Sequence, residues 1–192
     1  MSEAVHEFTV EPLDWHPYVK PIDLAEATPA QLEALKVTPS NTKVSAYVLV
    51  LANEPETLNE RTPLFNDIMY SEGGLSRSGR EIGALAASFV NKCIYCAAVH
   101  AARYIQIEKR PEVIDEIYKS GLEADLPEFE QALFNFGVDL TAHTDNVGVY
   151  QFYHLREIGL SDLEILDLIH SVAIFGWANR LMHTLGEPHR KD

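Results

Sequence analysis

Helix start and stop signals recur along almost the whole chain, and strand-like alternation between them is nearly absent. Thr28-Pro29-Ala30-Gln31 offers a cap residue, a proline at the first helical position and a glutamine at the third. A helix should open there and end near Val37, before Pro39. Residues 44–51, VSAYVLVL, fit either a buried strand or a helix. Caps at Asn41 and Thr42 and a stop from Asn53 to Pro55 favour the helix. A helix from Pro55 to Tyr70 is broken by Gly73-Gly74. Further helices are expected over 76–90, 92–107, 111–119, 127–141 and 145–157, punctuated by Pro111, Gly121, Pro127 and Gly159. Ser161-Asp162-Leu163-Glu164 is a capping box that opens a long final helix ending before Gly186. Only residues 1–27 escape this pattern. With Pro12, Pro17, Pro21, Trp15 and Tyr18 they read as an extended arm whose aromatics lie on another surface. The expected organisation is all-α: an arm over 1–27 and one helical domain over 28–192.

The charge balance narrows the function classes. Fifteen Lys and Arg against 29 Asp and Glu leave a net charge of −14. Such a surface repels a phosphate backbone and an anionic lipid face, so neither nucleic acid nor membrane is an expected partner. No apolar run approaches the roughly 18–20 residues of a membrane span. The start, MSEAVHEF, has no basic or apolar signal region, so a cytoplasmic location is expected. Two cysteines cannot form a disulfide scaffold, but they stand three residues apart.

They belong to Asn91–His100, NKCIYCAAVH, a C-x2-C-x3-H spacing. On a helix, Cys96 lies about 60° and His100 about 20° from Cys93, all on one face. With Asn91 as cap, Cys93 falls in the first turn, where free N–H groups and the helix dipole stabilise a thiolate. Cys96 lies further in but has His100 four residues on, within reach of its sulfur. The pair can close a disulfide across one turn, as redox C-x-x-C pairs do.

Two plainer readings compete with redox chemistry. Two small apolar residues at this spacing also suit a core. Zinc could take Cys93, Cys96, His100 and a carboxylate, but structural zinc draws on two separated clusters and there is no second one. Elsewhere, lone His143, His154, His170 and His183 read as packing residues, with His154 the best placed to be delivered to the site from a facing helix. Arg180 reads as a tie between helices through a carboxylate. Glu123, Asp125, Glu128 and Glu130 read as solvated surface, and Phe134, Phe136, Phe152 and Phe175 as core.

From about Ser40 to Gly186 the chain resembles the carboxymuconolactone decarboxylase and alkylhydroperoxidase D-like superfamily, in its peroxidase-related branch. The marks are Leu75-Ser76-Arg77, Glu81 twelve residues before Cys93, NKCIYCAAVH, and AIFGWANRLMHTLG with Asn179-Arg180 and Gly186. The resemblance implies an all-α alkylhydroperoxidase D-like domain and a thiol peroxidase cycle. Cys96 would attack the peroxide and become a sulfenic acid, Cys93 would resolve it to a disulfide, His100 would take the thiol proton, and Glu81 would complete the relay. The helix-terminus argument points instead to Cys93 as the more acidic thiol. Tyr95 stands where alkylhydroperoxidase D has a histidine and cannot take up a proton near neutral pH. Glu81 also closes a capping box, Ser78-Gly79-Arg80-Glu81, that would fold it back on Ser78.

The resemblance further implies no metal or other cofactor, an external thiol reductant of the lipoyl-bearing kind, and a homo-oligomer, trimer or hexamer. Two other functions stay open. One is a decarboxylase-type lyase acting on a small carboxylated lactone by proton transfer with His100. The other is a non-enzymatic oligomer whose cysteines sense redox state.

Overall fold

The computed structural model describes residues 3–36 and 44–191. Nine helices and one small sheet are present among them. The elements are β1 (Leu13–Pro17), α1 (Pro29–Leu35), α2 (Ala46–Leu51), α3 (Pro55–Tyr70), α4 (Arg77–Val90), α5 (Ile94–Glu108), α6 (Pro111–Ser120), α7 (Glu128–Ala142), α8 (Val149–Glu157), α9 (Asp162–Leu185) and β2 (Gly186–Arg190). The fold is all-α, as the punctuation requires, and no described helix is long and apolar enough to cross a membrane.

Local signals explain most boundaries. Thr28 and Ser161 both close capping boxes, with Gln31 and Glu164. The 44–51 segment is a helix, capped by Ser45, whose side chain accepts from the Val48 N–H. The caps proposed at Asn41 and Thr42 lie outside the described residues, and α1 ends at Leu35, two residues before Val37.

Helix α4 is the central rod. Every residue from Ser78 to Ser88 is buried, and it packs on α5, α7 and α9. Close approach needs small residues: a Cβ at Gly83 would come within 2.6 Å of Ser171 Oγ, and one at Gly137 within 2.7 Å of Ala86 Cβ. Arg80, 2% exposed, ties the loop before α4 to α9. Its guanidinium donates to the carbonyls of Ser71 (2.9 Å) and Gly73 (2.8 Å) and to Asp167 Oδ2 (2.8 Å). The start of α4, and with it Arg77 and Glu81, is thereby held against α9.

The final helix is followed by a strand that the sequence does not announce. β2 pairs antiparallel with β1, Leu13 opposite Arg190 and Pro17 opposite Gly186. Pairing so distant in sequence leaves no local trace, and Glu187-Pro188 reads alone as a mere stop. The pairing carries Trp15 onto the cysteine segment, where it is buried and donates from Nε1 to the Met182 carbonyl (3.4 Å). Phe8 stacks on Phe89 with ring centres 4.5 Å apart. The aromatics of the segment at 3–17 therefore cover this chain's own core.

Candidate active site

The site is built on the corner between α4 and α5. Asn91 ends α4, Lys92 turns left-handed at φ 55°, and the Cys93 N–H reaches back to the Ser88 carbonyl (2.8 Å). Cys93 itself is therefore the N-cap of α5, and Cys96 occupies the third helical position. This corrects the expectation that Asn91 caps α5 and that Cys93 lies inside its first turn. The backbone N–H of Asn91 closes the end of α4 on the Ala87 carbonyl, and its side chain meets the Asn179 amide at 3.1 Å.

Both cysteines are buried and carry no disulfide. Their side chains act on each other, and this splits their acidities. Cys96 beside it lowers the Cys93 pKa; burial opposes, and the Cys96 N–H and Asn179 pull it down further. Cys96 is pushed well up by Cys93 and by burial, against a smaller downward pull from Asn179. Of the two thiols, Cys93 is therefore the more acidic.

Glu81, 1% exposed, stands behind this corner on α4. Its Oε2 lies 2.5 Å from His100 Nδ1 and its Oε1 accepts from Arg77 Nε at 2.6 Å. Burial pushes the Glu81 carboxyl up, but His100 and then Arg77 outweigh it and hold it below its ordinary value. An ionised Glu81 can only accept, so Nδ1 carries the proton and Nε2 is the nitrogen free to act as a base. The ring of His100 is fixed edge-on against Phe175, 4.0 Å between centres. The cap of α4 is Ser76, whose Oγ accepts from the Gly79 N–H (3.1 Å), so the Ser78–Glu81 capping box does not form. Glu81 turns inward to His100 because Ser78 is already inside the helix.

Cys96, His100, Glu81 and Arg77 line one cavity of about 150 Å³, together with Tyr47 and Arg61. Cys93 opens instead on a separate cavity of about 320 Å³, walled by Trp15, Lys92 and His183. Tyr95 borders both. Three of the four expected residues thus share a cavity, and the fourth touches it through its sulfur contact with Cys96.

Other expectations need correction. His154 is 60% exposed beside Glu157 and faces neither cavity. Arg180 donates to the Gly176 carbonyl of its own helix, and no carboxylate is seen bonded to it. Glu130 is buried, not solvated, and is held by Tyr104 and Arg110. Sequence reasoning missed Arg77, Tyr47, Arg61 and Asn179 as site residues. Only Arg77 had a readable signal, its i,i+4 spacing to Glu81. Among the described residues no group of three His, Cys, Asp or Glu side chains could hold a metal ion.

The carboxymuconolactone decarboxylase family model matches residues 55–133, which include Glu81, both cysteines and His100. The chain is similar to an alkylhydroperoxidase AhpD core, an uncharacterized peroxidase-related protein from Ralstonia eutropha JMP134. Identity is 29% over 88% of this chain and 91% of that one, with a TM-score of 0.76. It is also similar to an uncharacterized peroxidase-related protein from Silicibacter sp. TM1040, 25% identical over 90% and 93% of the two chains, TM-score 0.74. The debrominase Bmp8, solved with 2,3,4-tribromopyrrole, shares the fold at 15% identity over 88% and 89%, TM-score 0.71. No curated protein matches the chain.

Proposed function

The chain belongs to the carboxymuconolactone decarboxylase and alkylhydroperoxidase D-like superfamily, and from that premise we propose that it is a thiol-dependent peroxidase acting through Cys96 and Cys93. Family membership alone carries the coarser statement, a peroxidase-related or decarboxylase-like protein. One observation supports the finer one: the His100–Glu81 pair lines the same cavity as Cys96, with Cys93 packed in the same buried cluster as that sulfur.

In the proposed cycle, His100 Nε2 takes the Cys96 proton. The sulfur then attacks the distal peroxide oxygen, the O–O bond breaks, and the alkoxide leaves with the proton from His100. Cys96 is now a sulfenic acid. Cys93, the thiol already biased toward thiolate, attacks that sulfur; the S–O bond breaks, hydroxide leaves as water, and a disulfide forms. One hydroperoxide and two thiols become an alcohol, water and a disulfide. An external dithiol of the lipoyl-bearing kind would return the pair to thiols.

Stopped-flow mixing of reduced protein with alkyl hydroperoxides tests the reading, with mass spectrometry of the product. One intramolecular disulfide, a loss of two hydrogens, is expected. Thiols that persist after peroxide would sink it. The decarboxylase-type alternative draws on the matched family model and needs only His100 and Glu81. Its signature is lactone turnover that survives serine at both cysteines.

We also propose a homo-oligomer. Helices α3 and α9 line a groove of about 1060 Å³ in which Leu64 and Trp177 stand 56% and 40% exposed. Trp177→Glu should shift the mass seen by light scattering toward the monomer.

A further inference from the structure

Tyr47 and Arg61 reach the Cys96 cavity from α2 and α3, and the proposed cycle uses neither. Arg61 Nε is buried without a hydrogen-bond partner, and so is Tyr47 Oη. The Arg61 guanidinium stands 4.2 Å over the Phe65 ring, and the ionisable groups that act on it are the neutral Tyr47 and Tyr70 phenols, not a carboxylate. Tyr47 is close enough to respond to Arg61 and to both sulfurs, and burial keeps it a neutral O–H donor. Charge counting gives the same picture. Within the cavity Arg77 is offset by Glu81, and Arg103 is exposed and bonded to Gln106, whereas among the described residues no carboxylate pairs with Arg61. A partly buried guanidinium whose Nε has no partner is costly, and a carboxylate is the ligand that best meets its planar fork.

We infer that the Cys96 cavity selects an anionic substrate, a short-chain hydroperoxide bearing a carboxylate that sits between the Arg61 guanidinium and the Tyr47 hydroxyl. At about 150 Å³ the space lies below the roughly 300–1,000 Å³ of drug-sized ligand sites, which excludes a long acyl chain. In a chain of net charge −14 this is a local positive pocket, so the selection is made at contact and not by long-range steering. The hydroperoxide part rests on the proposed peroxidase; the anion preference does not.

The test therefore reads the charge of the cavity first, without peroxide. In Cys93→Ser protein, Cys96 is alkylated with iodoacetate or with iodoacetamide, reagents alike in size and different in charge. The preference for iodoacetate, normalised to free cysteine, should be about tenfold or more, within the roughly 10–100-fold of a hydrogen bond to a charged group. Arg61→Met should remove it, Tyr47→Phe should reduce it several-fold, and Arg103→Met should leave most of it. A preference equal to that of free cysteine, or unchanged by Arg61→Met, overturns the inference. If Arg61→Met does not fold, Tyr47→Phe and protection of Cys96 by propionate but not propionamide decide the matter in its place. A second arm compares 3-hydroperoxy-3-methylbutanoate with its methyl ester. Arg61→Met should raise KM for the acid alone, by about 10–100-fold. An equal fall in kcat for both would place Arg61 at the leaving oxygen and overturn the substrate assignment. No turnover of either compound, with the alkylation contrast intact, would remove the peroxidase reading and leave the anion site standing.

Discussion

Glu81 and Glu130 are both buried carboxylates on core helices, 1% and 7% exposed, and each is gripped by an arginine and a second side chain. Glu130 on α7 accepts from Tyr104 of α5 and from Arg110, which precedes α6, at 2.7 Å each. Burial, with Glu130 beside it, raises the Tyr104 pKa, so that phenol stays a donor and the cluster only ties three helices together. Glu81 has the same kind of grip, but its second partner is a histidine with another ring nitrogen to offer, and a cavity with a thiol lies alongside. A buried, paired carboxylate is thus no evidence of chemistry by itself. A partner with a second ring nitrogen to offer and an open space beside it make the difference.

If that contrast is right, activity follows the Glu81 cluster and stability follows the Glu130 cluster. The largest effect should come from the sulfur. Cys96→Ser should abolish peroxide consumption, while Cys93→Ser should give one turnover that stops at a sulfenic acid trapped by dimedone on Cys96. Dimedone on Cys93 in the Cys96→Ser protein would make the more acidic thiol the attacking one and detach the reaction from Glu81.

Next in size is His100→Ala, which should slow the peroxide reaction by roughly 10²–10⁴-fold, with partial rescue as pH rises and hydroxide ionises the thiol. A parent-like rate near pH 7 would mean that the helix terminus alone sets the thiolate. Smaller still, Glu81→Gln should cost about tenfold, less than loss of the base it orients. Glu130→Gln should leave the peroxide rate unchanged and lower unfolding stability by about 1–3 kcal/mol in denaturant titrations. Matching losses of rate in the two glutamate variants would erase the distinction.

The smallest effect is a pH dependence. The folded-state pKa of Glu81 lies below its ordinary value of 4.5, so its stabilising contribution is complete above that pH and is lost as pH falls through the folded value. In Glu81→Gln this share of the acid-side stability loss should disappear, which thermal melts across the acid range can check.

How far these features could be read in advance depends on their range. Thr28 and Ser161 each state a helix start within four residues, and both caps are as read. The C-x3-H spacing likewise places Cys96 and His100 one turn apart on one helix before any packing is known. The same local logic misassigned the corner. Asn91 and Ser78 are plausible caps, but α4 runs through Ser78 and ends on Asn91, leaving the start of α5 to Cys93. Two overlapping helix signals cannot be ranked without knowing where the helices dock.

By itself, then, the sequence determined the helical class, most element boundaries, and the spacing that sets His100 one helical turn beyond Cys96. Those follow from backbone hydrogen bonds and helical periodicity, which act over a few neighbouring residues. Only the tertiary structure decided that Glu81 faces His100 and not Ser78, that Cys96 and Cys93 open on different cavities, and that Tyr47 and Arg61 converge on the first of them. It also decided that a C-terminal strand finds its partner in β1. Each depends on helices or strands far apart in the chain coming together, and burial and charge pairing are defined only once they have.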